Sequence, residues 1–212
     1  MSEKSKKQEI WDEVWGNMDY CSDQFTQMMS EIDNKLGEVV VDVGAGANPV
    51  TRLLDRTRHK VIEVDCSSDE TSDLPNTLRV RFDIDEIVDN RDSTRLAIAK
   101  VMKFLDIDEN ECGFSPKSLE RVDAFVFSQI LNHIDFKAVI KSLKKYLKPG
   151  GELIFNECIG LGLKETISGE GLTDFDDFAK FIVSEGYITS RPSRLEDRFL
   201  WRVQKPKLIK PV

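Results

Sequence analysis

The chain lacks the features that would send it to a membrane, a secretory route or a nucleic acid. No apolar run approaches the roughly 18 residues that span a bilayer. The amino terminus, Met1-Ser2-Glu3-Lys4-Ser5-Lys6-Lys7, has none of the apolar stretch of a secretory signal. A cytoplasmic protein with no membrane partner is the expectation. Excess positive charge is also missing. The 212 residues carry a net charge of −8, which opposes generic binding to phosphate backbones, so no nucleic-acid partner is expected. The one basic stretch, 137–148, shares its residues with an apolar stripe and reads as the solvated face of a helix. Cys21, Cys66, Cys112 and Cys158 form no C-x-x-C pair, which argues against a zinc site or a dithiol centre, and no metal is expected. Without a secretory context these cysteines read as reduced thiols.

What is present is a repeated alternation of strands and helices in one domain. Residues up to about 8 read as disordered, and Ile10, Trp11, Val14, Trp15 and Met18 then share one helical face. A second helix starts at Ser22, repeats Phe25, Met28, Met29, Ile32 and Leu36 at three and four, and stops at Gly37. Strands are expected at 38–43, 60–65, 78–83, 122–127 and 152–157. Short helical segments fall between them: one with Val50, Leu53 and Leu54, and one over 94–105 burying Leu96, Ala99, Met102 and Leu105 or near neighbours. A third is capped by Asp135, with Phe136, Val139, Ile140, Leu143, Tyr146 and Leu147 on one face, and ends at Pro149-Gly150-Gly151. Thr173 with Asp176 gives a capping box for a helix carrying Phe175, Phe178, Ala179 and Ile182. Two terminal strands, 187–195 and 198–204, have no helix between them. Repeated β-α-β order means a doubly wound α/β sheet, mostly parallel, with helices on both faces. The last two strands add an antiparallel hairpin at one edge, seven strands in all.

Ligands of such sheets sit outside the carboxyl ends of the strands, where strand order reverses. Here the strand ends carry suitable chemistry. After the first strand comes Gly44-Ala45-Gly46, whose missing side chains permit a sharp bend and close approach to the main chain. After the second stands Asp65, 19 residues beyond Gly46, where a carboxylate accepts the hydroxyl protons of a ribose. After the third stands Asp83, an acceptor for an exocyclic adenine amine, with Asp85 and Glu86 as alternatives. After the fourth come Ser128 and Gln129. Asp42, inside the first strand, orients either the turn or a charged ligand group. A dinucleotide fingerprint wants a third glycine where Pro49 stands, and proline supplies no N–H for phosphate. No Walker lysine follows. The turn suits a cofactor without phosphates.

These segments resemble the class I S-adenosylmethionine-dependent methyltransferase family, and the resemblance runs from about 39 to 204. V-V-D-V-G-A-G-A-N-P is similar to the family's first motif in its variant ending Asn48-Pro49. V-I-E-V-D-C-S is similar to the second strand with its ribose-binding acid, here Asp65, followed by Cys66. R-F-D-I is similar to the adenine-contacting segment, Asp83 and the Ile84 backbone. Tyr146-Leu147-Lys148-Pro149-Gly150-Gly151-Glu152-Leu153 is similar to the family's turn into strand five. The resemblance implies a Rossmann-like fold and S-adenosylmethionine as cofactor, with Gly44, Ala45 and Gly46 along its methionine part and Ser128 and Gln129 near its reactive end. The two helices ahead of the first strand are expected to lie across the open end of the sheet as a lid over 1–37, with the catalytic domain over 38–212. The long connection 84–121 departs from the family pattern.

Methyl transfer from a sulfonium is an in-line displacement, and much of its catalysis comes from positioning. His133, just after the fourth strand, is the candidate base, or else it shapes the cofactor pocket. Glu157 at the end of the fifth strand faces the same rim and either binds a cationic substrate or orients water, or else caps a helix or meets solvent. Trp11, Trp15 and Tyr20 either touch the substrate from the lid or only pack. His59 precedes the second strand and is expected on the surface at the opposite end of the sheet. No Asn-Pro-Pro-Tyr or Asp-Pro-Pro-Tyr tetrapeptide follows the fourth strand, which disfavours amino methylation of adenine or glutamine in that style. The expected activity is O- or N-methylation of a small molecule by a monomer or homodimer. RNA or protein methylation, and a non-catalytic scaffold of the same fold, are the alternatives.

Overall fold

The β-branched run Val39–Val43 forms strand β1, buried along its whole length. A strand covered on both faces must be apolar on both, and four of its five residues are valine. The computed structural model describes residues 23–46, 49–66, 72–107, 120–159, 171–195 and 198–207. Trp11, Trp15, Tyr20, Asn48 and the helix expected before residue 20 lie outside the described residues.

Strand β1 pairs in parallel with β2 (Lys60–Asp65) on one side and β4 (Val122–Ser128) on the other. Beyond β2 lies β3 (Thr77–Arg81), and beyond β4 lies β5 (Leu147–Cys158), both parallel. Strand β8 (Arg198–Gln204) runs antiparallel on β5. The short strands β6 (Ile188–Thr189) and β7 (Ser193–Leu195) both pair antiparallel with β8. The order is β3-β2-β1-β4-β5-β8-β6, with β7 also on β8. The order in which the chain adds strands reverses between β1 and β4, which makes the carboxyl ends of those two parallel strands the natural place for a ligand.

The side chains of each strand divide between two cores. Val40, Val61, Ala124, Val126 and Ile154 face one side, where Met29 and Ile32 of helix α1 (Asp23–Asp33) cover them together with Val50 and Leu54 around a short 3-10 turn (Val50–Leu53). Val41, Val43, Ile62, Val64, Phe125, Phe127, Leu153 and Phe155 face the other. Helices α2 (Glu86–Asp89), α3 (Arg91–Phe104), α4 (Phe136–Leu143) and α5 (Phe175–Ser184) contribute to that second side. Phe155, Phe175, Phe178, Phe199 and Trp201 meet there at ring-centroid distances of 4.8–6.5 Å, fixing α5 over β5 and β8. The doubly wound, Rossmann-like α/β sheet with an antiparallel C-terminal edge is thus present. No helix among the described residues is long and apolar enough to cross a membrane.

Local boundaries differ from the sequence expectation in ways that have physical causes. The expected strand 187–195 is broken into β6 and β7, because Pro192 between them has no N–H for the ladder. Helix α3 starts at Arg91 under an Asn90 cap, three residues before its expected start, and Leu96 is 68% exposed while Ala97 and Val101 turn inward. Asp174, not Thr173, caps α5, accepting from the N–H groups of Asp176 and Asp177. Helix α4 stops at Leu143, and Pro149-Gly150-Gly151 falls inside the span of β5 at a register shift between Val122 and Ala124. His59 is buried, not on the surface, because α1 folds back over the amino ends of β1 and β2. Its Nδ1 lies 2.8 Å from the Gly37 carbonyl and its Nε2 3.2 Å from that of Asp33.

Candidate functional site

The turn after β1 is held from several directions. The N–H groups of Gly44 and Ala45 both donate to the Val64 carbonyl, at 2.8 and 3.2 Å. The Gly46 N–H donates to Asp65 Oδ2 at 2.9 Å, so the acid at the end of β2 closes directly on the glycine turn. Gly44 and Gly46 have φ of +73° and +58°, the left-handed region that favours glycine. The two differ in surroundings. A methyl group on Gly44 would lie 2.8 Å from Ile130 of the post-β4 loop, whereas one on Gly46 would meet nothing within 4 Å among the described residues. The first glycine allows two loops to touch, and the second leaves an open face beside Asp65.

Beneath the turn runs a row of buried charge. Strand register sets Asp42 beside Glu63 and Glu63 beside Arg79. Asp42 is 1% exposed and accepts from both the N–H and the hydroxyl of Thr51, at 3.2 and 2.8 Å. Burial pushes its carboxyl up to about 7; the Thr51 hydrogen bonds oppose the rise and the Glu63 charge adds to it. Burial also raises Glu63, against the pull of Arg79 and Arg56, whose guanidinium nitrogens lie 3.8 and 3.7 Å from its carboxylate. Arg79 in turn donates to the Gly46 carbonyl. Pro49 stands in extended conformation ahead of the 3-10 turn and contributes no N–H to the site.

The loop after β4 forms the facing wall. Gln129 has φ of +59°, and its backbone N–H and side-chain amide both donate to the Asn156 carbonyl of β5, at 3.0 and 3.1 Å. That strained conformation in a non-glycine residue is the kind that persists where surrounding bonds over-determine it. The Asn156 amide donates to Ser128 Oγ at 3.1 Å. Glu157 was expected on the rim; the structure buries it completely, its two carboxylate oxygens accepting the N–H groups of Ile130 and Leu131 at 3.2 and 3.3 Å. The register of β5 sends this carboxylate under the loop, not into solvent. His133 is 4% exposed and its N–H donates to the Ile130 carbonyl.

The end of β3 completes the rim. Asp83, half-buried, accepts the Asp85 N–H at 3.2 Å, and Asp85 accepts the Asp135 N–H at 3.1 Å. The loops after β3 and β4 are therefore tied together, with Ile84 buried between them. Gly44, Ala45, Gly46, Asp65 and the half-buried Cys66 come together in one place, and Ser128 and Gln129 stand across the switch point. Among the described residues, no group of three or more His, Cys, Asp or Glu is placed to hold a metal ion. The sequence reading passed over Glu63, Arg56, Arg79 and Asn156. For Glu63, Arg79 and Asn156 the available signal was a polar residue inside a strand; Arg56 lies before β2 and gave none.

Three kinds of comparison bear on this geometry. No curated protein sequence matches the chain. Among solved structures, the 1,6-didemethyltoxoflavin-N1-methyltransferase of Burkholderia thailandensis, bound to 1,6-didemethyltoxoflavin and S-adenosylhomocysteine, has a TM-score of 0.55 at 14% identity, with 86% of this chain and 79% of that one covered. The N-methyltransferase NodS of Bradyrhizobium japonicum, in complex with S-adenosylhomocysteine, has the same TM-score and identity over 87% and 86%. Human N-acetylserotonin methyltransferase in complex with S-adenosylmethionine has a TM-score of 0.55 at 12% identity, covering 94% of this chain and 54% of the human one. At such identities these establish the fold. A methyltransferase-domain family model matches residues 14–176, well over half of the sequence, and the chain belongs to that methyltransferase family.

Proposed function

We propose that the protein transfers a methyl group from S-adenosylmethionine to a small molecule, at oxygen or nitrogen. The observation that carries this reading is the open face over Gly46 beside Asp65. A Cβ there would fill the space in which a ligand can approach the main chain, and the neighbouring strand end presents a carboxylate for ribose hydroxyls. The residues present fit the cofactor. In this reading Asp65 holds the ribose, Asp83 and the Ile84 backbone the adenine, and the 44–46 turn the amino-acid part, with Ser128 and Gln129 toward the reacting end; the closure of Asp65 on the Gly46 N–H supports it.

When bound, S-adenosylmethionine supplies an electrophilic methyl on a sulfonium. The chain's own contribution is to hold acceptor and donor in line, and such positioning accounts for much of the barrier reduction available to a displacement of this kind. Burial of His133 favours its shaping role over that of a base. Burial of Glu157 against two N–H groups favours its role in fixing the post-β4 loop. A small acceptor accords with the net charge of −8 and with the small molecules named for the Burkholderia and human enzymes. Contact by Trp11, Trp15 or Tyr20 with the acceptor belongs to the same proposal.

Titration calorimetry with S-adenosylmethionine and S-adenosylhomocysteine tests the reading. Binding of both is expected, with an affinity loss of about tenfold or more for Asp65→Ala, the scale for hydrogen bonds to a charged group. No heat with either ligand overturns the cofactor assignment. Retained affinity in Asp65→Ala overturns the ribose role.

A further inference from the structure

We propose that Arg79 is a positioning residue for the amino-acid end of the methyl donor, acting through the Gly46 carbonyl; this rests on the cofactor reading above. Arg79 belongs to the middle of β3, two strands away from the glycine turn, yet its guanidinium reaches across β2 to the Gly46 carbonyl. It is held on the way by Glu63, whose Oε2 lies 3.8 Å from Arg79 Nε. The Gly46 residue is thereby gripped on both sides, its N–H by Asp65 and its carbonyl by Arg79. The 3-10 turn that follows in the chain is gripped by Asp42 through Thr51. Asp42, Glu63 and Arg79 are adjacent across three strands by register, so one buried row anchors both the Gly46 carbonyl and the 3-10 turn beyond it.

Such a row is costly to bury and has little merit as a source of stability alone. Two carboxylates lie side by side, and Asp42 Oδ1, Glu63 Oε1, Arg79 Nε and all three guanidinium nitrogens of Arg56 have no hydrogen-bond partner among the described residues. Buried ion pairs with unsatisfied atoms are commonly no better than apolar residues of the same size. What this row supplies is geometry: a rigid, charge-assisted hold on the carbonyl of a glycine whose open face receives the ligand. A lysine in the same place could reach the carbonyl or Glu63 as a point charge, but lacks the planar fork that serves both.

Two probes separate positioning from a general structural role: S-adenosylhomocysteine, which has the amino-acid part, and methylthioadenosine, which does not. Wild-type protein and Arg79→Gln are titrated with each. Arg79→Gln is expected to weaken S-adenosylhomocysteine by about tenfold or more and to leave methylthioadenosine unchanged. Arg79→Lys is expected to recover part of the loss, and it supplies the same comparison should the glutamine variant not fold. Undiminished S-adenosylhomocysteine affinity in either folded variant overturns the proposal. So does an equal loss for both ligands, which would make Arg79 a support of the whole rim. Absence of wild-type binding overturns the cofactor reading itself and is distinguished by being seen before any substitution.

Discussion

At the scale of the residue, the site owes its character to acids placed where strands end and to one acid placed where a strand does not. Asp65 and Asp83 were legible because a carboxylate following an apolar strand has an open end to serve. Asp42 was legible as an anchor, but its energetic state was not, since it depends on Glu63 and Thr51 arriving from other segments. Its carboxyl sits at about 7 in the fold against an ordinary value of 3.8. The folded protein therefore holds a proton on Asp42 that the unfolded chain has lost between those values. Stability falls as pH rises from about 4 to about 7 and levels off above, by up to roughly 4 kcal/mol. Asp42→Asn removes that dependence while keeping an acceptor for Thr51. Thermal melts without ligand should show the variant gaining on the wild type as pH is raised from 4.5 to 8, and a constant difference would refute the buried-charge account. His133 and Glu157 were legible only as residues near the rim. Which way each side chain turns was decided by the loop they share.

At the scale of the element, the glycine turn and the post-β4 loop form one unit. Gly44 sits at φ +73° with the Ile130 side chain where its Cβ would go, whereas a Cβ on Gly186, at φ +79°, would meet nothing within 4 Å among the described residues. Gly186→Ala should cost only the left-handed penalty, about 1–2 kcal/mol. Gly44→Ala should cost that and more, because Ile130 is held by Glu157 through its own N–H and cannot simply withdraw. Urea unfolding of both variants measures the difference, and equal losses would mean that the two loops do not bear on each other. Element types were read correctly where hydrophobic period was strong, as in β1, β2 and α4. Boundaries shifted where a cap competed: Asn90 begins α3 early, and Asp174 replaces Thr173 because its carboxylate reaches two N–H groups.

At the scale of the whole molecule, the proposed ligand site joins the loops after β1, β2, β3 and β4, so binding should stabilise the fold as a unit. At a hundredfold excess over its dissociation constant, S-adenosylhomocysteine adds about 2.7 kcal/mol. For a domain of this size that amounts to roughly 5–10 °C in the melting midpoint. A thermal shift with S-adenosylhomocysteine but none with ATP at the same concentration is the expected result. An equal response to ATP would contradict a turn suited to a cofactor without phosphates. Of the five lysines in 137–148, Lys137, Lys141, Lys144 and Lys148 each lie within 4 Å of a carboxylate, and Lys141 of α4 and Lys144 at its carboxyl end both reach Glu185 just after α5.

From the amino-acid order alone came the alternation of strands and helices, the glycine turn, and the acids at the strand ends. Each of these depends on neighbours a few residues apart, through side-chain period, backbone freedom or turn chemistry. Folding in three dimensions decided what those cues could not encode. Parallel register set Asp42, Glu63 and Arg79 in a row, α1 closed over His59, and the turn of β5 carried Glu157 beneath a loop instead of onto the rim. Contacts between residues distant in the chain arise only once the sheet has chosen its strand order, and the burial and charge state of each group follow from that choice.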